Sequence, residues 1–127
     1  KSRLPHVRVI PNYSVDDTGL PTSTAGGGAG DIECIELTKG ILVEVTMAEG
    51  RTQTMMEIWP IERHLNVFKE KYTSDSECIF VAPSIYPDSR RQIDWIAADT
   101  NGEDRIRPYK IDEFIDFLET SEHLYAL

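Results

Sequence analysis

The chain has 127 residues, 40% apolar and 28% charged, enough for one domain with a sizeable core and ordinary for a globular fold. With 13 basic against 22 acidic residues the net charge is −9, which argues against a passive nucleic-acid binder with a basic footprint but not against an enzyme whose carboxylates hold metal ions. No apolar run approaches the ~20 residues of a membrane span, and Cys34 and Cys78 alone cannot make a disulfide framework or a four-cysteine zinc site.

Both cysteines lie in apolar stretches and read as buried free thiols of a reducing compartment. The N-terminus, Lys1-Ser2-Arg3-Leu4-Pro5-His6, has no following apolar region and no initiating Met. It is not a signal peptide, and the chain reads as mature material or a piece of a longer protein. Residues 7–10, Val-Arg-Val-Ile, form a short apolar piece that Pro11 stops. Turn formers fill Asn12 to Gly30, ending in Ala25-Gly26-Gly27-Gly28-Ala29-Gly30, a linker or a place where backbone approaches a ligand.

Residues 31–47 predict a β-hairpin. Asp31 to Leu37 is one strand, Thr38-Lys39-Gly40 a turn with glycine where positive φ is useful, and Ile41 to Met47 a second strand. The apolar run of the second strand marks it as central and covered on both faces. From Arg51 to about Tyr72 the pattern is helical, and Pro60 divides or kinks it. Cys78 to Ala82 is a buried strand, Arg90 to Ala98 a short helix, and Arg105 to Tyr109 an edge strand, because Pro108 cannot donate to a central ladder. In the last helix Ile111, Phe114, Ile115 and Leu118 recur at i, i+3, i+4 and i+7. The order β–β–β–α–β–α–β–α implies an α/β fold with a mixed central sheet flanked by helices, one domain over 1–127.

The informative residues are acids where apolar residues belong. Glu44 lies within the second strand of the hairpin, where a charge costs several kcal/mol unless paired or metal-bound. For an isolated case the plainer reading is a salt-bridged or edge-facing glutamate. Asp31 opens the neighbouring strand, about 4.8 Å away, and falls at the same end of the hairpin, offset by a few residues. Twist or a bulge would bring both acids to one ion. Two carboxylates with the Val45 carbonyl are hard oxygen ligands suited to Mg²⁺. Asp31 also has the plain reading of a turn residue after glycine.

On the helix, seven residues at about 100° each leave Glu57 and His64 within about 20° of alignment. They could supply a second metal ligand and a proton-transfer group, or simply be an exposed polar face with a lone histidine. Arg63 beside His64 could touch a phosphate backbone, although ordinary solvated charge is the simpler reading.

Together these residues resemble the PD-(D/E)xK nucleases, and more specifically the AlwI-type group of type IIS restriction and nicking endonucleases, relatives of the FokI cleavage domain. The likeness is carried by Val9-Ile10-Pro11-Asn12-Tyr13, Asp17-Thr18-Gly19-Leu20-Pro21, Gly30-Asp31-Ile32, Leu42-Val43-Glu44-Val45-Thr46, Gly50-Arg51-Thr52-Gln53, Glu57 and Arg63-His64-Leu65. It spans roughly residues 9–65 and weakens toward the final helix. The short nuclease signature alone occurs by chance, whereas the ordered set with its spacings is much more specific.

The resemblance implies a restriction-endonuclease-like core and metal-dependent hydrolysis of DNA. Asp31 and Glu44 would match the metal-binding acids, and Glu57 and His64 the further acid and histidine of the active site. Gln53 would orient the group or touch the backbone. Mg²⁺ would be the cofactor, with Mn²⁺ able to substitute. Two departures stand out. Gly30 replaces the proline before the first acid, and Thr46 replaces the usual lysine, leaving the missing positive charge to His64 or a second metal. The family's nucleases also carry an N-terminal helix that can contribute to the site, and this chain is expected to begin after it.

No basic recognition helix or zinc motif is evident, so sequence reading would fall to a separate domain or subunit. One site cuts one strand, and double-strand cutting needs transient dimerisation or a partner chain. The setting implied is a prokaryotic cytoplasm and a restriction-modification system. The competing readings are another nuclease of this fold acting in repair or recombination, and a non-catalytic interaction domain that keeps the fold without the chemistry.

Overall fold

Alternation of apolar and polar residues along the first strands, and continuous apolar runs in the later ones, build a sheet with one polar rim and a covered centre. The structure, a computed structural model, describes residues 6–11, 31–36 and 38–125. The glycine run, the whole stretch from Asn12 to Pro21, and Leu37 lie outside them. Five strands, β1 (Val7–Pro11), β2 (Ile32–Glu36), β3 (Lys39–Val45), β4 (Glu77–Ala82) and β5 (Ile106–Lys110), stand in chain order across one sheet. β1–β2 and β2–β3 are antiparallel, and β3–β4 and β4–β5 are parallel. The sheet is mixed, as expected, and β5 with Pro108 is an edge.

The hairpin differs from expectation in its turn. Glu36 pairs with Lys39, so Lys39 and Gly40 already belong to β3 and not to the turn. Gly40 is not at positive φ. A Cβ there would lie 2.8 Å from the Phe68 ring and 2.7 Å from Ser76 Oγ, so glycine is required because a helix ring packs directly on the strand backbone.

The segment after β3 stays helical throughout. α1 (Gly50–Gln53) runs into a π-helical turn (Thr54–Ile58) and then α2 (Trp59–Lys71). Thr54, Trp59 and Ile58 all keep right-handed helical dihedrals. Pro60 therefore does not divide the region. It sits in the first turn of α2, where its missing N–H costs least, directly after the wider π turn. α3 (Pro87–Asp99) begins three residues earlier than the apolar pattern indicates, because Pro87 opens it. In α4 (Ile111–Thr120) Ile115 is 49% exposed. Phe117 packs inward instead, with its ring centroid 5.2 Å from that of Tyr109.

Two cores cover the sheet. Leu42, Phe80, Ile58, Ile61, Leu65, Phe68, Ile93 and Ile96 fill the space beneath α2 and α3. Cys34, Ile41, Val43, Ile79, Val81 and Leu124 form the other layer, closed by α4. Both cysteines are free and buried. Burial first, and then the Glu36 charge, push the Cys34 thiol up to about 11, so it is unreactive at neutral pH. Among the described residues no helix is long and apolar enough to cross a membrane.

Candidate active site

The site grows from the hairpin register. Ile32 pairs with Val43 as the last pair of the ladder, and Asp31, the residue before it, lies just outside β2 at the end of β3. With this register Asp31 comes nearer to Glu44 than pairing centred on Thr38–Gly40 would bring it. Asp31 Oδ2 accepts a 2.8 Å bond from the Val45 N–H, which fixes its carboxylate beside β3. Thus it is the Val45 amide nitrogen that the structure shows engaged at this point.

Glu44 alternates with Leu42 and so points to the α2 side of the sheet. It is only 7% exposed. Above it, His64 Nδ1 lies 2.8 Å from Glu44 Oε2. Glu57 lies in the π turn, and the Thr46 hydroxyl accepts a 3.0 Å bond from the Ala48 N–H.

Electrostatics ties the acids together. Burial raises the Glu44 carboxyl above its ordinary value, the His64 contact opposes that, and the negative charges of Asp31 and Glu57 raise it further. Burial and Asp31 likewise raise Glu57, with Thr46 and His64 opposing. Carboxylates that repel each other in a partly dry cleft are under-compensated, and a cation relieves them. Their oxygen-only donor set fits a hard divalent ion. No three of Asp31, Glu44, Glu57 and His64 bring ligand atoms within 4.8 Å of one another, and among the described residues the group that does is elsewhere, at His6, Glu36 and His123.

Gln53 is fully buried. Its amide donates to the carbonyls of Ala48 (3.1 Å) and Ser84 (2.6 Å), and its oxygen accepts from the Tyr86 N–H (2.9 Å). What it orients is main chain, fastening the loop after β3 to the loop before α3. Arg63 is exposed on α2.

Comparison with known proteins identifies the fold and the family. The small subunit of the heterodimeric restriction endonuclease R.BspD6I, known from its crystal structure, is similar over 87% of this chain at 26% identity, with a TM-score of 0.76. The match covers 57% of that subunit, so this chain spans little more than half its length. No curated protein matches. The family description that matches, over residues 6–117, is that of the AlwI restriction endonuclease. It takes in all five strands, the whole acidic cleft and most of α4, and the chain therefore belongs to the AlwI restriction endonuclease family.

Proposed function

We propose that this chain is a metal-dependent endodeoxyribonuclease, the cleavage domain or subunit of a type IIS-like restriction or nicking endonuclease. The observation that supports this reading is Asp31 held beside β3 by the Val45 N–H, next to Glu44, with His64 bonded to Glu44 and the negative charges of Asp31 and Glu57 both acting on it. Asp31, Glu44 and the Val45 carbonyl would hold Mg²⁺, with Mn²⁺ as a substitute. When bound, the ion supplies Lewis-acid neutralisation of a phosphoryl oxygen and an acidified water.

The chain's own groups do the rest. The Val45 N–H fixes Asp31, and His64 fixes Glu44, so neither carboxylate swings away. Glu57, raised by burial and by Asp31, is suited to accept and release a proton at its carboxyl oxygen. The positive charge that Thr46 lacks is left to His64 or a second metal. Arg63 contacts the DNA backbone from the exposed side of α2. Gln53 keeps the loop after β3 in place so that the acids stay aligned.

The whole chain, 1–127, acts as one nuclease domain of a longer endonuclease or assembly in a prokaryotic cytoplasm. Base recognition belongs to a separate domain or subunit, since no zinc motif or basic recognition helix is evident in the sequence. The R.BspD6I neighbour is the small subunit of a heterodimer, which supports a partner chain. Cutting of both strands requires that partner or transient dimerisation.

The test is cleavage of supercoiled plasmid with Mg²⁺ or Mn²⁺, beside Glu44→Ala, with and without a recognition module. Nicking that vanishes in the variant places the chemistry at these residues. Activity only with the module marks a dependent cleavage subunit. No cleavage in either setting, with metal bound, favours an interaction domain.

A further inference from the structure

Glu36 lies at the turn end of β2, opposite to the acidic cleft. Five residue steps along the chain separate it from Asp31, about 17 Å. It also points the other way, since Ile32, Cys34 and Glu36 face the α4 layer. Its side chain is wholly buried. Oε1 accepts a 2.6 Å bond from the Leu124 N–H. Oε2 receives both His123 Nδ1, at 2.9 Å, and His6 Nε2.

Two imidazole nitrogens and one carboxylate oxygen thus lie within 4.8 Å of one another. Two imidazoles aimed at a single carboxylate oxygen are more than an ion pair needs. The same atoms form the two-nitrogen, one-oxygen set that borderline ions prefer, and a hard ion such as Mg²⁺ is poorly served by it. The surroundings orient the ligands. The Leu124 amide occupies Oε1 and leaves Oε2 as the ligand atom. Tyr125 stacks on His123 at 4.8 Å between centroids, and the His6 ring meets His123 edge-on at 5.9 Å. The side chains of His6 and His123 remain 39% and 34% exposed, which gives an ion a path in and leaves a coordination position toward solvent. A neutral imidazole that now donates to Oε2 only has to carry its proton on the other ring nitrogen to offer a lone pair instead.

We propose that His6, Glu36 and His123 bind one divalent transition ion of the zinc class, a clamp that fastens the residue preceding β1 and the C-terminal segment onto the hairpin, independent of the nuclease acids. The ion would join three parts of the chain that are remote in sequence, so binding adds to the stability of the fold.

The test uses the full chain, stripped of metal, in an Asp31→Asn/Glu44→Gln background that silences the cleft. Zn²⁺ titration followed by calorimetry should show one equivalent bound and a rise in Tm, while Mg²⁺ should give no such rise. His6→Gln and His123→Gln, at partly exposed positions where folding is not at risk, should each weaken Zn²⁺ binding at least about a hundredfold. X-ray absorption of the zinc-loaded chain should show two imidazole ligands, and these should drop to one in either variant. Absence of binding overturns the proposal. So does binding that both histidine variants retain, or binding present in the natural chain but lost in the silenced background, which would place the ion in the acidic cleft.

Discussion

Glu36 and Glu44 stand near opposite ends of one hairpin, and both are shut away from water, yet their carboxyls are displaced in opposite directions. Burial pushes each of them up. At Glu36 hydrogen bonds from His123, His6 and the Leu124 N–H outweigh it, and the carboxyl ends below its ordinary value. At Glu44 one histidine opposes burial, while Asp31 and Glu57 add to it, and the carboxyl ends above. Burial alone therefore says little about a charge. The count of donors against like charges decides in which direction a buried carboxyl is displaced.

The largest effect that would break this contrast is on catalysis. Glu44→Ala should lower plasmid nicking by about a thousandfold or more, with the far-ultraviolet circular dichroism of the fold unchanged. Retained nicking would remove Glu44 from the chemistry. Next comes the frame of the cleft. Gln53→Ala strands two carbonyls and one N–H in a buried place and should cost about 2–4 kcal/mol in urea unfolding. A loss under half a kcal/mol would mean that the loops hold without it.

At the satisfied end, Glu36→Gln in metal-free buffer should cost about 1–3 kcal/mol, because the charge that holds three donors is gone. At the unsatisfied end the sign reverses. The folded state binds the Glu44 proton more tightly than the unfolded chain, so ionising Glu44 opposes folding. Glu44→Gln removes that opposition. In chelator-containing buffer its Tm should exceed that of the natural chain at neutral pH, by a margin worth about 1 kcal/mol. The margin should be small below the ordinary value of 4.5 and open as pH rises through the raised folded value, then stay level. A margin independent of pH would show that Glu44 is not held above its ordinary range. Arg63→Ala is the smallest case. It should leave stability within about 0.5 kcal/mol and reduce nicking modestly, most at low salt.

Much of the fold was legible in the residues. The near-continuous apolar runs of β3 and β4 report burial on both faces, and Pro108 marks an edge, because period and missing donors are local properties of the chain. Glu44 drew attention for the same reason, as a charge out of place in an apolar run. Glu36 is out of place in a similar way, but its partners His6 and His123 are 117 positions apart and have no spacing to betray them.

Most of the elements, and the family to which their motifs point, were legible in residues a few positions apart. Only packing and register decided that Asp31 comes beside Glu44, bonded to the Val45 N–H. They also decided that Gly40 serves Phe68 rather than a turn, that Pro60 leaves the helix unbroken, and that Gln53 is committed to main chain. All but the Pro60 case are contacts between segments that only packing brings together, and the energy of such a contact belongs to no stretch of sequence taken alone.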